Sequence, residues 1–396
     1  MTTRIAAGWM AFALCAAALQ AQSSPKPLSI YFIDTEGGHA TLYVSPTGES
    51  MLVDTGNPGD RDVDRIMAAA NDAGLKQIDF LLLTHYHVDH VGGVEALAKR
   101  IPIRHFVDHG PSVEAREQVA GFQSMYAALI EKAGATSHQV VKPGDKIPVT
   151  GVNIEVVTSA GEVLKKPMPG AGKPNPECAK YTKQAENPDA ENAQSVGFVM
   201  QYGKFRTINL GDFVYNKEGD LMCPNNPLGT VDLYLTSHHG TDQSGSAALV
   251  HALQPRVAVM HNGTRKGGAV KVFDVLHSSP GLQDIWQLHY SYTAGLENNT
   301  AGVYTANIED PVALGNTLAN PAPVAPPGGG RGGSGGGGGG GRGGSGGRGG
   351  GGGGGGRGGG HTGPAFWIKV SAMPDGSFTM LNSRNNFTKT YAARKN

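Results

Sequence analysis

Residues 84–93 read "THYHVDHVGG" and follow directly on the apolar run Phe80–Leu83. His85 and His87 are two apart, so on an extended backbone their rings leave on the same side. Asp89 and His90 come as the chain turns into a helix expected to begin near Val91, and Gly92 and Gly93 permit close backbone approach. Imidazole and carboxylate are ligands for borderline metals such as zinc. Four such groups do not form a packed core, and a solvated loop has no cause to repeat histidine. A chance His-rich turn is the alternative; a metal site at the end of a buried strand accounts for more of the pattern.

Around this loop, strand-like and helix-like signals alternate. "LSIYFID" (28–34), "ATLYVS" (40–45) and "SMLVDTG" (50–56) are rich in β-branched and aromatic residues and are separated by turn residues. "DVDRIMAAANDAG" (62–74) has helical spacing and stops at Gly74. A strand "IDFLLLT", a helix "VGGVEALAKR", a strand "IRHFVDHG" and a helix over 112–134 follow. The pattern then turns to β through "DKIPV", "VNIEVVT", "SVGFVMQYG" and "KFRTINLGD", and ends as α/β with "VDLYLTSHHG", "SAALVHAL", "RVAVMHNG", a helix near 269–278 and "DIWQLHYS". Two β-rich blocks, each followed by helices, predict an α/β protein built as an αββα four-layer sandwich.

Other stretches differ in kind. Residues 1–21 carry a lone Arg4, an apolar stretch and small residues before Gln22, which predicts a cleaved signal peptide and a periplasmic or secreted protein with no transmembrane domain after cleavage. The main domain is expected over 22–317, with 162–192 as a loop insertion. Residues 318–364, nearly pure glycine broken by Arg331, Arg342, Arg348 and Arg357, cannot bury enough apolar surface to offset ordering entropy and predict a disordered Pro/Gly/Arg-rich tether of unknown partner. Residues 365–396 read as a β-hairpin turning at "PDG" and docking on the main domain, since a lone hairpin is marginal in water. Export makes a Cys178–Cys223 disulfide admissible, with two free thiols as the alternative. The formal charge of the whole chain is zero, yet residues 22–327 hold 23 Lys+Arg against 32 Asp+Glu, a net of 23 − 32 = −9. An acidic body argues against broad capture of nucleic acid through its phosphates, leaving nucleic acid as a substrate only.

His-x-His-x-Asp-His after an apolar strand resembles the signature of the metallo-β-lactamase superfamily of metallohydrolases. The resemblance continues in order through "LVDTG" (52–56), "TINLGD" (207–212) and "YLTSHHG" (234–240) and covers about residues 28–310. It implies that His85, His87, Asp89, His90, Asp212 and one of His238 and His239 ligate one or two Zn2+ ions (Mn2+ is an alternative), with Asp212 bridging and Asp54 supporting the metal loop. The branch most resembled is the ComEC/Rec2-like hydrolase domain of competence DNA-uptake channels, in a stand-alone secreted form. Where that branch has "GQGDA", this chain has "EGGHA", with His39 in place of the Asp. The superfamily's further histidine ahead of the bridging Asp is absent; Asn192 and Ser195 stand there, so the first metal is left with His85, His87, Asp212 and an amide or water. The resemblance favours His238 as the last ligand, which would free His239 to protonate the leaving group. Asp89 would ligate and orient a metal-activated hydroxide.

Outside these motifs, Arg265 and Lys266 between two glycines are the candidate phosphate contacts, and His109 and His39 are candidates for lining the substrate cleft. The reading is a metal-dependent hydrolase acting on a small-molecule or phosphodiester-type substrate. Lactam, lactone or thioester hydrolysis is a second reading, and a non-catalytic binding protein a third.

Overall fold

The computed structural model describes residues 25–114, 117–134, 137–184, 190–308 and 365–395. The expected signal peptide and glycine tether lie outside the described residues.

Two large mixed sheets pack face to face. In the first, the strands run in the order Phe387–Tyr391, Phe378–Asn382, Ile368–Ala372, Leu28–Phe32, Thr41–Val44, Ser50–Val53, Ile78–Leu82, Ile103–Asp108 and His138–Val140. In the second, Thr305–Asn307, Asp284–His289, Val257–Met260, Leu233–Leu235, Phe205–Asn209, Gly197–Tyr202, Asn153–Ser159 and Lys146–Ile147 follow in that order. Alternation along each strand divides the apolar residues between two faces. Leu28, Ile30 and Phe32 point into the inter-sheet core with Phe198, Met200, Leu233 and Trp286. Tyr31 and Ile33 face outward, onto a layer that includes Val63, Ile66 and Ala70 of helix Asp60–Asp72. On the far side, Tyr234, Ala258 and Met260 are covered by residues of helices Ala247–Leu253 and Val270–His277. Three apolar layers between four structural layers are the expected αββα sandwich, with two mixed sheets and flanking helices.

The described part of the expected hairpin segment, 365–395, does more than form a hairpin. Ile368–Ala372 pairs antiparallel with the first strand, Val370 opposite Ile30, and a third strand, Phe387–Tyr391, extends the sheet. Tyr391 Oη donates to Asp284 at 2.7 Å and accepts from Trp286 Nε1 at 3.0 Å, tying this segment to the second sheet. The third strand has an alternating "FTKTY" in which only the last residue is fully buried, which is why its pattern is weak. Cys178 and Cys223 are joined, Cα atoms 5.6 Å apart, so the insertion is pinned to the end of helix Tyr215–Met222. No helix among the described residues is long and apolar enough to cross a membrane.

Candidate metal centre

The site forms where loops leave the carboxyl ends of neighbouring strands of both sheets. Strand Ile78–Leu82 delivers Thr84 to His90, Phe205–Asn209 delivers Asp212, and Leu233–Leu235 delivers the histidine pair. One atom organises the cluster. Asp212 Oδ2 lies 3.2 Å from His239 Nε2, 3.3 Å from His90 Nε2, 3.5 Å from His238 Nε2 and 4.0 Å from His85 Nε2.

The hydrogen bonds behind the rings decide what those nitrogens offer. His90 Nδ1 donates to Asp54 Oδ2 at 2.7 Å. The Thr84 hydroxyl donates to the same oxygen, so it can accept from His85 Nδ1 at 3.1 Å. The Ser244 hydroxyl donates to the Phe213 carbonyl and accepts from His238 Nδ1 at 3.4 Å, while His239 Nδ1 donates to the His261 carbonyl at 3.3 Å. In the neutral rings, every Nε2 then directs a lone pair toward a carboxylate oxygen. Acceptors facing one another in a buried place demand a positive charge between them.

The tightest group is Asp89, His90, Asp212 and His239, whose ligand atoms all lie within 4.8 Å of one another. Bonds of about 2.0–2.1 Å at tetrahedral angles set neighbouring ligand atoms about 3.3 Å apart. Against that, His239 Nε2 is 3.3 Å from both Asp89 Oδ2 and His90 Nε2, and His90 Nε2 is 3.5 Å from Asp89 Oδ2. The residues fit a zinc-class ion. The other side is looser: His85 Nε2 is 3.1 Å from His87 Nδ1, and His87 Nε2 faces Glu114 Oε1 at 3.6 Å.

Without the ion, the local charges pull against burial. Burial disfavours a proton on His90, but Asp212, Asp54 and Asp89 outweigh it and raise its pKa well above the ordinary value. For Asp212, burial pushes up but His239, His90 and His238 prevail, holding it well below the usual carboxylate range. Asp54 is likewise held low, despite burial, by His90 and His39. It also accepts from the Thr84 amide at 2.8 Å, so one buried carboxylate ties together the start of the metal loop, its last histidine and His39.

Several expected residues sit elsewhere. His39 is buried with Nδ1 2.7 Å from Asp54, behind the ligands. His109 is buried and bonds Glu191 Oε1 at 3.0 Å. The Asn192 amide donates to His238 Nε2 at 3.4 Å, and Ser195 is buried at the entry to strand Gly197–Tyr202. Lys266 reaches the centre and donates through Nζ to Asp89 Oδ2, whereas Arg265 turns away to lie over the Tyr292 ring at 5.6 Å. Gly267, at φ +76°, lets this turn press against the histidine pair: a Cβ there would stand 2.0 Å from the His239 carbonyl oxygen. Glu191 was not singled out from sequence. It accepts from the Tyr86 and Val113 amides and the Ser112 hydroxyl, bracing the metal loop from the Pro-rich insertion, and nothing in its local sequence signals this.

A cleft of about 500 Å³ opens beside the loop, lined by His87, Asp89, Glu114, Val119, Phe122 and Met125. A larger one of about 710 Å³, walled by Lys165, Lys183 and Lys217, contains none of the ligating side chains.

Comparison with known proteins agrees with this geometry. Residues 33–174 match the model of the Metallo-beta-lactamase superfamily. ComE operon protein 3 of Bacillus subtilis is 27% identical over 192 residues, 48% of this chain and 20% of that protein. A UPF0173 protein of Pyrococcus abyssi is 25% identical over 240 residues, 60% of this chain and 86% of that one. Ribonuclease Z of Methanopyrus kandleri is 29% identical over 121 residues, 31% of this chain and 39% of that enzyme. The chain thus spans a fifth of the first relative's length and well under half of the last's. The two mixed sheets with flanking helices are the metallo-β-lactamase fold.

Proposed function

We propose that this metal-dependent hydrolase of metallo-β-lactamase fold cleaves a phosphodiester-type bond, outside the cytoplasm, with zinc as its metal. The observation that carries the substrate class is Lys266. Its ammonium stands at Asp89 on the rim of the cluster, on a turn held against His239. A cation there matches an anionic, non-bridging oxygen brought to the metals. Similarity to Ribonuclease Z supports a substrate related to nucleic acid. The leader-like residues 1–21 and the Cys178–Cys223 bond support export to an oxidising compartment.

A bound zinc-class ion supplies Lewis acidity and lowers the pKa of the attacking water from near 16 to about 7. The chain's own groups do the rest. Asp89 orients that water and can receive its proton. Lys266 moves from Asp89 to the substrate oxygen as it enters, which frees the carboxylate. Glu114, beside His87, gives the cleft one negative wall. Phe122, Met125 and Val119 receive an apolar or aromatic substituent. His39, buried behind Asp54, positions ligands rather than substrate.

Bis-p-nitrophenyl phosphate and single-stranded DNA, offered with and without chelator, test this reading. Chelator-sensitive turnover of at least one, lost in His87→Ala, is expected; no turnover of either would overturn it. The same apolar cleft favours a second reading, hydrolysis of an uncharged lactam, lactone or thioester, and turnover of nitrocefin or an acyl-lactone in place of the diesters would establish it.

A further inference from the structure

The geometry points to a division of labour within the histidine pair: His239 completes one metal position and His238 the other, so that two adjacent residues each serve a different ion. It rests on the metal-dependent reading above but not on the identity of the substrate.

The pair lies in the tight turn Ser237–Gly240, and both histidines have left-handed backbone dihedrals, φ 51° and 56°. Consecutive non-glycine residues in that region are uncommon. The turn is held from both sides, His238 N to the Gly211 carbonyl at 3.0 Å and Gly268 N to the His239 carbonyl at 3.2 Å. The result is that the two rings leave the backbone in different directions, with centroids 6.0 Å apart and planes 63° from parallel, and still reach the same oxygen of Asp212.

His239 belongs to the group of Asp89, His90 and Asp212. His238 is not in that group. Its Nε2 sits 3.5 Å from Asp212 Oδ2 and 3.4 Å from Asn192 Nδ2, the residue standing where a further histidine would have served the position of His85 and His87. The bond from His238 Nδ1 to Ser244 leaves Nε2 as the acceptor, and two acceptors, Nε2 and Asp212 Oδ2, then face each other at a spacing suited to a shared ion. Asn192 offers only an amide, a poor ligand for zinc-class metals. His85, His87, His238 and Asp212 make up a second set of three imidazoles and one carboxylate, looser than the first: His85 Nε2 is 4.0 Å from Asp212 Oδ2, and the four are not a group whose ligand atoms all lie within 4.8 Å of one another, so the rings must draw in around the ion. The missing histidine has been replaced from a different strand.

The test counts ions rather than turnover. The full chain, stripped by chelator, is titrated with Zn2+ by calorimetry, with bound metal quantified by elemental analysis after desalting and Co2+ spectra recorded in parallel. Wild type is expected to take two ions per chain, one tight and one at least tenfold weaker. His238→Ala is expected to keep the tight ion and lose the other, and Asn192→His added to His238→Ala should restore it. An unchanged apo melting curve shows that the variant folds; His238→Gln is the replacement if it does not. Two ions in His238→Ala at wild-type affinity, a single ion in wild type, or loss of the tight ion on removing His238 would each overturn the division. None of these counts changes if phosphodiesters prove not to be substrates.

Discussion

The two halves of the centre share Asp212 but are built differently. On one half, Asp89, His90 and His239 stand at spacings close to a tetrahedron, and Asp54 holds the ring of His90 from behind through a buried carboxylate. On the other, His85 is held by the neutral Thr84 hydroxyl, His238 by the Ser244 hydroxyl, and His87 stands beside Glu114. A charged partner behind a ligand fixes its tautomer and raises its basicity; a hydroxyl fixes the tautomer alone. The lesson is that ligand identity does not set spacing: seven imidazole and carboxylate groups of the same kinds make one close-set group and one looser one.

Asp212 is where the comparison breaks altogether. Asp212→Asn should remove the shared oxygen's charge from both halves, lower turnover by about a thousandfold, and leave less than one ion per chain by elemental analysis. Asp54→Asn separates the halves: metal affinity should fall by about 10–100-fold at the firm position and by less at the other, which Asp54 reaches only through the Thr84 hydroxyl, read by competition with a colorimetric chelator. Lys266→Ala should spare both ions and raise KM for a charged diester by roughly tenfold to a hundredfold, as expected for losing a charged hydrogen bond. An uncharged ester should be unaffected, and equal losses on both substrates would count against the role given to Lys266.

A further prediction bears on stability rather than on metal or substrate, and concerns the scaffold of the yielding half. Glu218 is fully buried and accepts from the Gly245 and Ser246 amides, next to the Ser244 that orients His238. Burial raises its pKa from 4.5 to about 7, against the pull of those two amides. Because the folded value lies above the unfolded one, the folded state favours the protonated acid. Stability from this group is therefore complete below about pH 4.5, and it declines as pH rises through 7. The change should amount to about 3 kcal/mol at most, since one pKa unit is worth about 1.4 kcal/mol. Urea melts of wild type between pH 5 and 8 should show that fall, and Glu218→Gln should flatten it.

Much of this was readable in the sequence where the signal is contiguous. The metal loop packs four ligands into six residues, and apolar alternation exposed both sheets and the four layers. Asp212 could be found because "TINLGD" resembles the family's strand that ends in a bridging Asp. Other features depend on contacts between distant segments. The separate directions of His238 and His239 follow from their left-handed turn, enforced by Gly211 on one side and the Gly267–Gly268 backbone on the other. His39 reads as a candidate for lining the substrate cleft, yet the fold sinks it against Asp54. Glu191 lies in a Pro-rich insertion with no periodicity, and its bracing role exists only once the metal loop is folded against it.

The pairing of Leu28–Phe32 with Ile368–Ala372 has a bearing on biosynthesis. The earliest strand of the body waits for a neighbour made more than three hundred residues later, beyond the glycine-rich stretch. A nascent chain halted inside that stretch would present a naked strand border, the kind of surface on which polypeptides stick to one another. Arrival of the segment that follows the glycine-rich stretch, rather than of the catalytic motifs, is what covers that border.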